Sequence, residues 1–102
     1  MNRPFDIQIT RKAAADQIEL SGTIDAHAEK PLQNLPALIG QPLVRFDFSG
    51  VSRINSMGIA FLLRCFKAIR EERQAEIRLT GLSQVNSMLF KMTGIFMLGS
   101  PE

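Results

Sequence analysis

Apolar and polar residues alternate near the start of the chain, in FDIQIT (5–10), where Phe5, Ile7 and Ile9 fall on one side. A period of two predicts a strand with one buried face. RKAAAD is small and polar and reads as a turn. QIELSG (17–22) reads as a second strand ended by Gly22, so the two predict a hairpin. In TIDAHAEKPLQNLPALIG the residues Leu32, Leu35, Leu38 and Ile39 recur at helical spacing. Pro31 suits a first helical turn, whereas Pro36 removes an internal donor. The spacing therefore predicts a short or kinked helix that stops at Gly40.

LVRFDFS (43–49) again has a period of two, with Val44, Phe46 and Phe48 on one face and Gly50 breaking the run. From Ser56 to about Arg73 the period becomes helical. Ile59, Leu62, Leu63, Phe66 and Ile69 form its apolar stripe, with Arg64, Lys67 and Arg70 mostly off it. EIRLTG (76–81) reads as a strand. SQVNSMLFKMTG (83–94) reads as a helix with Val85, Met88, Leu89 and Met92 on one side. The Met88–Met92 pair is expected in the core, and Gly94 suits a left-handed helix stop. IFML (95–98) reads as a last short strand. Strands that alternate with helices predict an α/β fold. The expectation is one domain over 1–102, a mixed β-sheet of four to five strands covered by about three helices.

Composition narrows the class. A chain of 102 residues with 45% hydrophobic residues is long and apolar enough for one packed core. One cysteine, Cys65, forms no internal disulfide and with one histidine builds no zinc site. Cys65 lies three positions after Leu62 and reads as a small core residue. A reducing, cytoplasmic location is the simplest expectation. No stretch reaches the roughly 20 apolar residues of a membrane span, so no membrane insertion is expected. The net charge is only +2, and there is no Trp or Tyr to stack on bases, so no nucleic-acid partner is expected. No P-loop, no GxGxxG after a strand, no HExxH and no CxxC occurs. His27 is the only histidine, so a Ser-His-Asp machine would have to use it with a carboxylate and a serine brought together by the fold. These absences predict a non-enzyme with no cofactor.

The junction at SRINSMGIAF (52–61) carries the most chemistry, because partners and ligands of such sheets meet the ends where strands pass into helices. A helix that starts at Ser56 leaves its first N–H groups without partners. Asn55 is a favoured N-cap, able to accept from the N–H two or three positions on. Gly58 allows the first turn to pack closely. With Asn55 as the cap, the Ser56 hydroxyl is spare. A phosphate there would add about −1.5 to −2 charges at the positive end of the helix, with Arg53 close by in sequence. Arg64, Lys67, Arg70 and Arg73, interspersed with Glu71 and Glu72, read as a solvated helix face. Phe61 lies off the main stripe and is the expected exposed partner anchor after Met57.

DFSGVSRINSMGIAFLLRCFKAIREE, from Asp47 to Glu72, resembles the STAS domains, and within them the bacterial anti-sigma factor antagonists. Their pattern is Asp-x-Ser-x-Val, a short spacer, Asp-Ser-Ser/Thr-Gly-hydrophobic-Gly and an amphipathic helix. LSGTIDAHA (20–28) is similar to the family's Gly-x-hydrophobic-Asp loop, and LTGLSQVNSMLFKMTGIF (79–96) to its following strand, Ser-started helix and Gly-hydrophobic-Phe ending. The resemblance implies a binding switch. Its partners would be a serine protein kinase or anti-sigma-type protein, which phosphorylates the first serine of the motif, and a serine phosphatase that reverses this. The phospho-acceptor matches Ser56, the motif glycine Gly58, and the loop acid near the partner surface Asp25. His27, Arg53, Asn55, Met57 and Phe61 complete the expected partner-binding set.

Asn55 stands where the motif has aspartate, and Met57 where it has a second hydroxyl. Ser56 is then the only hydroxyl of the loop. Family members often run on into one more helix, whereas this chain stops at Glu102, which leads us to expect a less covered flank and a homodimer. A competing expectation is a constitutive STAS subunit of a transporter, of the lipid-transport ABC type, or of a stress-signalling assembly, without phosphorylation. A nucleotide or small-molecule sensor using the loops at Asp25 and Gly58 is a third, and no Gly-rich phosphate cradle supports it.

Overall fold

The computed structural model describes residues 3–102. The strands are β1 (Asp6–Arg11), β2 (Asp16–Ile24), β3 (Leu43–Ile54), β4 (Glu76–Thr80) and β5 (Ser100–Pro101). The helices are α1 (Glu29–Asn34), α2 (Ser56–Glu72) and α3 (Gln84–Thr93). Short 3-10 turns occupy Ala26–Ala28, Leu35–Leu38 and Ile95–Met97. The sheet runs β1-β2-β3-β4-β5, antiparallel at the β1–β2 hairpin and parallel elsewhere. The expected mixed α/β sheet and its helices are therefore present.

Topology explains which face is buried. Parallel connections are right-handed, and each step here moves the same way across the sheet. All three helices are thereby placed on one face. Val44, Phe46 and Phe48 are buried beneath them, whereas Arg45 and Asp47 turn to the bare face and stay half-exposed. The core is built around aromatic contacts. The Phe46 ring lies 4.7 Å from Phe66 and 6.5 Å from Phe48, and Phe48 lies 5.2 Å from Phe90, edge to face. Asp16, fully buried, ties the α1–β3 connection to the sheet by accepting from the Gly40 N–H at 2.8 Å. Arg11 completes this tie, 3.4 Å from Asp16 and donating to the Leu38 carbonyl at 2.9 Å.

The first helical region breaks where expected. Pro36, which offers no N–H, falls in the 3-10 turn after α1. Three local expectations are corrected. Gly22 does not end β2, and Gly50 does not break β3. Opposite β2, β3 carries an extra residue at two bulges, and both strands run on to the Ile24–Ile54 pair. Gly22 sits there with φ +80, against the Pro4 carbonyl, a conformation and approach that glycine permits. The segment 95–98 is not a strand. Gly94, at φ +84, turns the chain into the Ile95–Met97 turn, and β5 forms only afterwards. The third correction concerns the sides of α3. Phe90 and Asn86 are buried, while Val85, Met88 and Met92 are 77%, 60% and 79% exposed. Phe90 wedged against Phe48 fixes the orientation, and the methionine side is turned outward.

Candidate functional site

The bulged β2–β3 pairing brings Ile24 and Ile54 side by side, so their successors Asp25 and Asn55 emerge together at the same sheet end. The two connections are then locked by main chain. The Asn55 N–H donates to the Ile24 carbonyl at 3.1 Å. Asn55 is the N-cap of α2, its side-chain oxygen accepting from the Gly58 N–H at 2.8 Å. Gly58 is buried directly on Ile24. A Cβ at Gly58 would collide with the Ile24 carbonyl oxygen and lie 2.8 Å from its carbon. Only hydrogen at that position lets the helix sit so low on β2.

Ser56 is the first residue of α2 and is exposed. Because Asn55 makes the cap, the Ser56 hydroxyl is left out of it. Replacing Asn55 by Ala should cost about 1 kcal/mol, whereas Asn55→Asp should preserve the cap. Ser56→Ala should stay within about 0.5 kcal/mol of the unmodified chain. Urea unfolding of the three variants checks the assignment, which fails if Ser56→Ala is the costly one.

The other expected residues divide. Asp25, half-buried, caps the Ala26–Ala28 turn by accepting from the His27 N–H at 3.0 Å. The His27 ring is exposed, its Nδ1 3.3 Å from the same carboxylate oxygen. This carboxylate therefore holds its own loop in shape. Arg53 is exposed on β3, paired in register with Thr23, and Met57 is 49% exposed beside Ser56. Asp25, Arg53, Asn55, Met57 and Gly58 are thus gathered around the start of α2. Phe61 is corrected: it is only 6% exposed and offers no anchor. It turns toward α1, where Leu32, Pro36, Cys65 and Phe61 line a groove of about 350 Å³. The Arg64 guanidinium lies over its ring at 5.9 Å, and the sequence pattern puts Phe61 off the stripe, on the side that faces α1.

Cys65 is buried, as its spacing predicted, and burial pushes its thiol up to about 12 from an ordinary value of 9.0. The folded state keeps the proton that the unfolded state releases above pH 9.0. Stability from this group is therefore present below that pH and is lost as pH rises toward 12. The expected slope is about −1.4 kcal/mol per pH unit in that window. Urea unfolding at pH 8 and pH 10 should show it in the unmodified chain, and Cys65→Ala should lack it. Arg73 is exposed as expected and also donates to the Pro36 and Ala37 carbonyls at 2.9 and 3.0 Å. Arg64, Lys67 and Arg70 remain exposed. The sequence pattern groups Val85, Met88 and Met92 on one side but assigns the methionines to the core, because a helix with apolar residues on two sides does not say which is inside. Phe90, the one aromatic of α3, was the available signal.

A sheet with helices on one face only, and a glycine-anchored helix start at its end, defines an α/β domain of the STAS type. The family model described as "Mlab, STAS domain" matches residues 7–97, and the chain belongs to this family. A search of curated proteins gives no match. Among solved structures, the chain is similar to an anti-sigma factor antagonist from Mycobacterium paratuberculosis, with TM-score 0.77 and 16% identity over 96% of this chain and 85% of that one. It is similar to a sulfate transporter family protein from Wolinella succinogenes, with TM-score 0.76 and 17% identity over 88% and 75% of the respective chains. It is also similar to an anti-sigma-factor antagonist (STAS) domain protein from Planctomyces limnophilus, with TM-score 0.72 and 24% identity over 98% and 91%. At these identities the likeness establishes the fold. Among the described residues no helix is long and apolar enough to cross a membrane.

Proposed function

We propose that this chain is a non-catalytic, cytoplasmic partner-switching regulator, resembling an anti-sigma factor antagonist. Its partner is a serine protein kinase or anti-sigma-type protein that docks at the start of α2. Phosphorylation of Ser56 releases the partner and a serine phosphatase restores binding. The observation that carries this reading is the exposed Ser56 hydroxyl at the first position of a 17-residue helix whose cap is made by another side chain. A phosphate there is favoured by the positive helix end and needs no unfolding. It changes charge and bulk between Arg53 and Met57, on the surface that a partner would read. Asp25 and His27 border that surface from the neighbouring connection.

Trypsin cleavage after Arg53 and Arg64 releases INSMGIAFLLR, in which Ser56 is the only hydroxyl residue. Native protein should yield this peptide in bare and phosphorylated forms. Ser56→Ala should bind the co-purifying partner as the unmodified chain does, and Ser56→Asp should bind at least tenfold more weakly. Equal binding by both variants overturns the switch. A second reading is favoured by Asn55 and Met57 in the motif positions. In it the chain is a constitutive STAS subunit of a transporter, of the lipid-transport ABC type. It predicts stable co-purification with a transporter ATPase, only the bare peptide across growth conditions, and indifference to Ser56→Asp.

A further inference from the structure

The two edges of the sheet are unlike. β5 is two residues long, contains Pro101, and is followed by Glu102, all of which discourage further pairing. β1 has six residues, no proline, and an unbroken register with β2. Its four central residues, Ile7 to Thr10, are uncharged, and three of the four are β-branched. Among the described residues no strand lies on its outer side. Phe5, Ile7 and Ile9 are only half-buried on the helix-covered face, packed against the rim of the core. An edge of this kind is a template for another strand.

The outward groups follow from the hairpin. The Lys12 N–H donates to the Ala15 carbonyl at 2.9 Å, one step past the Arg11–Asp16 pair. Bonding alternates along an antiparallel ladder, so Asp6, Gln8 and Thr10 also turn their backbone groups to β2. Ile7, Ile9 and Arg11 turn theirs outward. Two copies of β1 can therefore pair about a two-fold axis through Gln8. Ile7 then faces Ile9 of the second copy, and Ile9 faces its Ile7, each pair exchanging both main-chain bonds. Phe5 and Arg11 face each other in the same way. On the bare face Gln8 meets its own equivalent, and Asp6 meets Thr10 with Lys12 diagonally beyond it. Ile7 meets Ile9, the Arg11 cation meets the Phe5 ring, carboxylate meets hydroxyl and amine, and each side chain stays on its own face.

We propose that a second copy of this chain docks at the β1 edge in this register, joining two five-stranded sheets into one. Nothing at Ser56 enters this pairing, which is independent of phosphorylation there. The test uses the full chain. Residues opposite each other without hydrogen bonds have Cα atoms about 4.5 Å apart, within disulfide range. Gln8 is exposed, and the one native cysteine is buried. Under mild oxidation Gln8→Cys should form a disulfide-linked dimer, and Thr10→Cys, which faces Asp6, should not. In sedimentation, Gln8→Lys and Gln8→Glu should each dimerise about fivefold more weakly than the unmodified chain, by like-charge repulsion across the axis. Their equimolar mixture should recover dimer. A monomer at all accessible concentrations overturns the proposal. So does cross-linking of Thr10→Cys as fast as Gln8→Cys, which would mean another register or random collision.

Discussion

Gly58→Ala should be among the most damaging single-methyl additions in this protein, costing about 3 kcal/mol or more. Within a helix the same change ordinarily gains roughly 0.5–1 kcal/mol, because glycine is the poorer helix former. Sterics decide the sign here. The added carbon would collide with the carbonyl of Ile24, a fully buried residue whose oxygen already holds the Asn55 N–H. Backbone cannot swing aside as a side-chain end can. Either α2 lifts, breaking the Asn55 anchor, or the end of β2 distorts. Gly94→Ala is the matched control: nothing lies within 4 Å, and only its φ of +84 opposes a side chain. That variant should lose about 1–2 kcal/mol. Thermal unfolding would rank the two. If Gly58→Ala is the milder, the close seating of α2 on β2 is wrong.

Phe46→Ala should cost about 3–5 kcal/mol, a large part of the roughly 5–15 kcal/mol that holds a domain of this size together. The ring is fully buried at the centre of the sheet, between Phe66 of α2 and Phe48, which in turn meets Phe90 of α3. Its removal leaves a cavity where strand and helices meet, and backbone on both sides prevents collapse. The melting temperature should fall by about 12 °C or more, taking at least 4 °C per kcal/mol for a domain of about 100 residues. Glu19→Ala, exposed on the bare face of β2, should change stability by less than about 0.5 kcal/mol. A Phe46→Ala variant within 1 kcal/mol of the unmodified chain would show that the rings do not form one packed unit.

Strand and helix periods along 5–10, 43–49 and 56–73 were legible because each element buries one face only. The Asn55 cap was legible because capping is a local demand, and Gly58 in the first helical turn pointed to close packing, but its seat on Ile24, more than thirty residues away, was not legible. Phe61 was not, since its burial depends on α1, whose packing angle no local pattern encodes. The outward turn of Val85, Met88 and Met92 depends likewise on Phe90 meeting Phe48 across more than forty residues. Gly22 and Gly50 looked like strand ends because glycine marks both ends and bulges. Only the partner strand tells these apart.

The seat of α2 has an evolutionary corollary. It is held by one main-chain bond, from Asn55 to Ile24, and by the missing side chain of Gly58. The chemistry of positions 56 and 57 contributes nothing to either, and aspartate at 55 would cap as well as asparagine. Positions 56 and 57 can drift with little penalty to folding, and position 55 among capping residues, while Gly58 cannot. A platform of this kind accepts acid or amide, hydroxyl or thioether, at one helix start without rebuilding the scaffold.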